Sequence, residues 1–347
     1  MTPDVRDRLD RLSGLASGTA QPTGSPVPEA AWGRALQLIS QADEVALACH
    51  VSPDGDALGS MLAVGFALRS MGKRVVASFG DLDFTVPRLL GFLPGQEMLV
   101  PPADYPAEPT LMITFDSPSI ARLGVLGESV RRAHELIVVD HHPSNDGFGT
   151  LDLIDPAAAA TAMLAEQLIY RLGGGLDRDI ATCLYAGLVT DTGSFRYSST
   201  TPAAHQMAAR LIATGLRTEE IARELWDRSP FAYLKVLAAA LERVVLDDGL
   251  VWTYVTRVDR AAHGLPYSEL EGVIDIVRRT DEAEVAAVLK EDDQGAWQVS
   301  TRSKGHIDVA AACTALGGGG HHKAAGFTSH DSVARTIAKF QERLREA

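Results

Sequence analysis

Between residues 33 and 200 the apolar positions switch repeatedly between two periods. Short apolar runs at 45–49, 74–79, 111–115 and 136–139 end at loops or at a polar residue. Between them apolar residues recur at helical spacing, as in Leu58, Met61, Leu62, Phe66 and Leu68, a run that stops at Gly72. Strands that alternate with helices predict an α/β fold with a doubly wound parallel sheet. Residues 203–243 read as helical, broken near Gly215 and Pro230, and are expected to connect two domains. Beyond them the pattern changes. Runs at 244–246 and 251–256 flank Asp247-Asp-Gly249, a hairpin signal. A second hairpin joins 285–290 to 297–302, and a helix from Ile307, a Gly run and a final helix from Ser332 follow. The expected organisation is a leader (1–30), a catalytic sheet domain (31–202), the helical connector (203–243) and a smaller α+β domain (244–347).

Composition narrows this picture. The leader is rich in Gly, Pro, Ser and Thr and has no apolar core, so it is expected to be disordered and not a signal peptide. The longest apolar runs fall far short of a membrane span. Cys49, Cys183 and Cys313 have neither zinc nor disulfide spacing, which suits a reducing, cytoplasmic setting. The net charge of −13 argues against a long duplex nucleic acid, which needs a basic surface. An anionic partner should be short and held by a few focused contacts.

Acidic residues and histidines fall where the strands end. His50, Asp54 and Asp56 follow the first run, Asp116 the third, and Asp140, His141 and His142 the fourth. Asp191 follows an apolar helix over 180–189. Singly, each is explained by a turn or a helix cap. A doubly wound sheet, however, brings all strand ends to one edge, where ligands bind. Carboxylates so gathered repel one another unless cations neutralise them. A mixed Asp/His set without cysteine suits manganese or magnesium, and so many ligands imply two ions. Pairs of ions about 3.5–4 Å apart serve in-line phosphoryl displacement.

The segments His50-Val-Ser-Pro-Asp-Gly-Asp-Ala-Leu-Gly-Ser60, Thr114-Phe-Asp-Ser117, Val139-Asp-His-His-Pro-Ser-Asn145 and Gly187-Leu-Val-Thr-Asp-Thr-Gly-Ser194 resemble the four motifs of the DHH phosphoesterases. Ser300-Thr-Arg-Ser303 and Gly318-Gly-Gly-His-His-Lys-Ala-Ala-Gly326 resemble the signature of the DHHA1 domain. Within that family the chain is most similar to the group of bifunctional oligoribonucleases and PAP phosphatases. The resemblance implies that His50, Asp54 and Asp116 hold one ion, and Asp56, Asp116, His141 and Asp191 the other. It implies manganese before magnesium, a homodimer, and hydrolysis of short oligonucleotides, 3′-phosphoadenosine 5′-phosphate or cyclic di-AMP. Asp140 would orient the histidines, His142 would face the substrate as a phosphate donor or as an acid for the leaving oxygen, and Asn145 would contact a phosphate or support that shell. In the second domain Arg302 and Ser303 would grip a phosphate or base. Gly319, Gly320 and His321 would offer an anion site, the Gly run leading into a short helix. A RecJ-like single-strand exonuclease and a non-catalytic nucleotide sensor are the competing readings. The first usually brings a larger, more basic chain, and the second would have lost ligands.

Overall fold

Strands β1 (Glu44–Cys49), β2 (Arg74–Phe79), β3 (Leu111–Phe115), β4 (Glu135–Asp140) and β5 (Leu151–Ile154) pair in parallel in the order β2-β1-β3-β4-β5. The computed structural model describes residues 26–347, so the expected leader lies outside the described residues up to residue 25. β1 is apolar without alternation because both faces of the sheet are covered. Val45, Leu47 and Cys49 point into a large core with Leu58, Met61 and Leu62, whereas Ala46 and Ala48 point into a smaller one with Tyr105, Leu123 and Val130. β5, which the pattern did not predict, is a four-residue edge strand in which only Leu153 is buried.

Helices α1 (Glu29–Gln41), α2 (Gly55–Ser70), α3 (Gly127–Arg132), α4 (Thr161–Arg171), α5 (Arg178–Asp191), α6 (Pro202–Ala213) and α7 (Thr218–Trp226) complete this unit. The contact of α2 with α5 fixes the site. A Cβ at Gly59 would lie 2.3 Å from the Cys183 carbonyl oxygen, and one at Gly187 would lie 2.7 Å from Asp56 Oδ1. Only glycine permits backbones this close. The start of α2, with Asp56, therefore meets the end of α5, with Asp191.

The chain divides into two units between Arg228 and Ser229. The helices expected as one connector are shared out: α6 and α7 fall in the first unit and α8 (Phe231–Glu242) in the second. In the second unit β6 (Val245–Asp247), β7 (Leu250–Val255), β8 (Val285–Glu291), β9 (Trp297–Ser303), β10 (Gly319–His321) and β11 (Ala324–Ser329) form a sheet in the order β10-β11-β9-β8-β7-β6. The β6–β7 turn uses left-handed backbone at Asp248 and Gly249, as a tight hairpin requires. Short helices α9 (Arg257–Ala261) and α10 (Val273–Val277), then α11 (Val309–Thr314) and α12 (Val333–Leu344), follow in chain order, and α8 and α10 pack on β7 and β8. The Gly run does not lead into a helix as expected. Its second half is β10, paired antiparallel with β11. A Cβ at Gly318 would lie 2.0 Å from the Gly326 carbonyl oxygen, and Gly320 has φ +143°, so steric demand of the hairpin accounts for both glycines.

One ion pair ties the first unit together from inside. Arg210 on α6 donates through Nε (2.8 Å) and a terminal nitrogen (2.6 Å) to Glu166 on α4, and both side chains are buried. Truncating one partner strands the other charge in a dry interior. Arg210→Ala is expected to lower unfolding free energy by about 3–5 kcal/mol in denaturant titration. The paired change Arg210→Met with Glu166→Leu should recover most of that loss.

Candidate metal centre

Three strands deliver the central residues. His50 directly follows β1, Asp116 directly follows β3, and Asp140 is the last residue of β4, with His141 and His142 next. Asp54 caps the N-terminus of α2: its Oδ1 accepts from the backbone N–H groups of Asp56 and Ala57 at 3.0 Å. Its Oδ2 remains to face His50 Nε2 at 3.8 Å. Asp116 sits in the middle. Its Oδ2 is 3.5 Å from His50 Nε2, and its Oδ1 is 3.5 Å from His141 Nε2 and 3.6 Å from His142 Nδ1. Asp116 also has φ +55°, a left-handed conformation that is costly for a residue with a side chain and that gathers at functional sites.

Donor atoms of His50, Asp54 and Asp116 lie within 4.8 Å of one another, as do those of Asp56, His141 and Asp191, and those of Asp116, His141 and His142. The imidazoles are aimed by backbone carbonyls. Nδ1 of His50 is 2.8 Å from the Val51 oxygen and Nδ1 of His141 is 3.2 Å from the Ala158 oxygen. With those protons donated, Nε2 of each ring is turned to the carboxylates. This oxygen and imidazole donor set could hold divalent metal.

Several residues that the pattern did not single out hold the carboxylates in place. Asp56 is fully buried and accepts from the N–H of Thr161 (2.6 Å), the N–H of Ala162 (2.8 Å) and the hydroxyl of Ser60 (3.1 Å). Thr161 Oγ1 also donates to Asp116 Oδ1 at 2.8 Å. The start of α4 thus serves as a cradle for two carboxylates. Its signal was Thr161 at the end of the alanine tract 157–160, a polar residue entering an apolar helix.

Asp140 orients His142 alone, not both histidines: its Oδ1 accepts from His142 Nδ1 at 2.7 Å. Its Oδ2 accepts from the Asn145 amide at 2.6 Å, and the same amide is 3.2 Å from the Ser117 oxygen. Asn145 is therefore committed to placing Asp140. In the second unit, register puts His321, Ala324 and Arg302 in one row across β10, β11 and β9. Paired residues share a face, so Arg302 and His321 flank the small Ala324. Gly319 lies one step along on that face, opposite Gly326, and Gly320 on the other. Ser303 points away from Arg302. It is buried and donates to Glu284 at 3.1 Å.

The crowding shows in the proton affinities. Burial alone would lower the His50 imidazole, yet hydrogen bonds to Asp116 and Asp54 raise it to about 10. Burial is likewise outweighed at His141, where Asp191 and then Asp116 lift the ring to about 11. Burial and the charges of Asp116 and Asp191 push Asp56 well up. Asp191 rises to about 6 through burial, held back by the His141 hydrogen bond.

Comparison with known proteins accords with this geometry. Residues 44–188 match the DHH family, N-terminal domain, and residues 249–347 match the DHHA1 domain. The chain is 32% identical over 307 residues to the bifunctional oligoribonuclease and PAP phosphatase NrnA of Thermus thermophilus, covering 87% of this chain and 90% of that one. It is 28% identical to the cyclic-di-AMP phosphodiesterase GdpP of Geobacillus thermodenitrificans, covering 90% of this chain and 48% of that one. The crystal structure of an exopolyphosphatase-related protein from Bacteroides fragilis superposes with a TM-score of 0.86 at 22% identity, covering 93% and 98% of the two chains, and supports the fold.

In the metal-free protein His50 and His141 carry protons at neutral pH, which a metal must displace. Metal affinity is therefore expected to rise with pH between about 6 and 9, by up to about a hundredfold per unit if both protons leave. The pairing of His50 with Asp116 and Asp54 stabilises the metal-free fold in full at pH ~6.5, where the ring is charged and both carboxylates are ionised. That contribution is lost as pH rises through about 10. Calorimetry of manganese binding in two buffers of different ionisation enthalpy should show proton release at pH 7, and none would contradict the assignment.

Proposed function

The chain belongs to the DHH family of phosphoesterases, and on that premise we propose that it cleaves very short oligonucleotides to mononucleotides. The same site would remove a phosphate from 3′-phosphoadenosine 5′-phosphate and act on cyclic di-AMP. The observation that carries the reading is the convergence of three imidazoles and three further carboxylates around Asp116, at the strand ends of a parallel sheet.

In this reading His50, Asp54 and Asp116 hold one divalent ion, and Asp56, Asp116, His141 and Asp191 hold a second, manganese before magnesium. Bound there, the ions supply charge for the phosphoryl oxygens and acidify a water. The chain's own groups do the rest. Asp116 presents one oxygen to each ligand set, since its Oδ2 faces His50 and its Oδ1 faces His141. His142 donates a hydrogen bond from Nδ1 to Asp140, which leaves Nε2 to carry a proton to the departing oxygen. Asp140 stabilises the charged ring while it does so, and Asn145 keeps Asp140 from turning. Arg302, Gly319, Gly320 and His321 are assigned to substrate binding in the second unit, and Ser303 to supporting that strand end.

The net charge of −13 supports a short substrate over a long duplex. Three buried free cysteines support a reducing, cytoplasmic compartment. Among the described residues no helix is long and apolar enough to cross a membrane. The proposal includes a homodimer, on the family resemblance.

A product-resolved assay with manganese tests the reading, with pApA, 3′-phosphoadenosine 5′-phosphate, cyclic di-AMP and a 24-residue RNA side by side. Mononucleotide release from pApA, reduced at least about 100-fold in Asp116→Ala, is the expected result. Asp140→Asn should lose about 10- to 100-fold in kcat and still bind manganese. Failure of all four substrates with metal bound would favour a nucleotide sensor. Equal rates on pApA and the long RNA would favour an exonuclease of the RecJ type.

A further inference from the structure

Arginines of the first unit are commonly neutralised. Arg34 pairs with Glu135, Arg69 with Glu97, Arg74 with Glu44, Arg171 with Glu29 and Arg210 with Glu166. In a chain this acidic an arginine finds a carboxylate easily. Arg122, like Arg196 and Arg223, departs from the pattern. It makes no ion pair among the described residues, although it stands beside the most acidic place in the unit.

Its guanidinium lies 3.3 Å from His50 Nδ1. That nitrogen already points its proton at the Val51 oxygen, 2.8 Å away, so it offers the guanidinium no lone pair. The arginine's other donors meet no partner among the described residues, and the residue is exposed. The backbone beneath it is pinned. The Val51 N–H donates to the Arg122 oxygen (2.8 Å), the Arg122 N–H to the Ser119 oxygen (3.1 Å) and the Val125 N–H to the Gly80 oxygen (3.2 Å). A Cβ at Gly80 would lie 1.9 Å from the Leu123 oxygen, so this segment is wedged against the end of β2. An unneutralised guanidinium on a pinned backbone beside a phosphoester site suits a phosphate, whose oxygens match its fork of donors.

The His50 ring decides which phosphate. Arg122 is at its Nδ1 edge, whereas Asp116 and Asp54 are at its Nε2 edge, 3.5 and 3.8 Å away. The ring thus stands between the arginine and the cluster where the cleaved bond would lie. The geometry points to Arg122 as the residue that takes a second phosphate of the substrate, the one neighbouring the bond to be cleaved. This rests on the phosphoester reading of the metal centre. It makes Arg122 a specificity residue that favours substrates with two phosphates.

The test is a cycle on protein and substrate together, pApA against ApA, with wild type, Arg122→Lys and Arg122→Ala. Arg122→Ala is expected to raise KM for pApA about 10-fold and to change KM for ApA less than about 2-fold, with the lysine variant between. Equal losses on both substrates would overturn the proposal. A second readout needs no turnover: calorimetric binding of AMP and of adenosine to the manganese-loaded protein. Arg122→Ala should weaken AMP about 10-fold, leaving adenosine and manganese affinities unchanged. If wild type cleaves neither dinucleotide yet AMP binding depends on Arg122, the phosphate contact stands and the substrate reading fails. A change in manganese affinity without a change for AMP would overturn the contact and make Arg122 a support for His50.

Discussion

The mutual repulsion of Asp54, Asp56, Asp116 and Asp191 is the constraint around which the first unit is organised. Carboxylates converging on one small site from β1, β3 and α5 stay there only if the scaffold holds each from behind and cations face them in front. The scaffold does the first part with backbone. Asp54 spends one oxygen capping α2, and Asp56 spends both on N–H groups at the start of α4. Asp116 accepts a left-handed backbone, and Val139 receives its N–H. The glycine contact between α2 and α5 lets Asp56 and Asp191 meet at all. His50 and His141 do the second part in the metal-free protein.

The same economy governs proton transfer. His142 differs from the other two imidazoles because its Nδ1 partner is a carboxylate and not a carbonyl. A carboxylate at Nδ1 stabilises a charged ring, whereas a carbonyl there orients the ring so that Nε2 faces the ligand set. Hydrogen-bond partners one to seventeen residues away in sequence thus separate metal-facing histidines from the one suited to acid chemistry. The second unit adds contacts of another kind. Its open strand row places Arg302 and His321 on either side of an alanine, a flat surface bounded by two polar side chains.

Much of the first unit was legible in the sequence because the strands are short, apolar and end at charged residues. The positions of His50, Asp116 and Asp140 at strand ends follow from that pattern, and the convergence of their donors follows from parallel topology. The cradle at Thr161 and Ala162 left only the Thr161 hydroxyl as a mark in the sequence, because its donors to Asp56 from α4 are backbone groups that any residue carries. β5 was missed since one buried leucine in four residues gives no period. The Gly run was read for its anion-binding capacity, while Gly318 and Gly320 are dictated by the approach of β11. Adjacent residues on a strand face opposite sides. Once β9 is known to run through Ser303, Arg302 and Ser303 cannot share one ligand face.

The central claim is that Asp116 is shared between two ligand sets. The most direct measurement is an anomalous difference map from crystals of the protein grown with manganese. Two peaks about 3.5–4 Å apart, one toward His50 and Asp54 and the other toward His141 and Asp191, with Asp116 between them, is the predicted result. One peak, or two that do not share Asp116, would contradict the account.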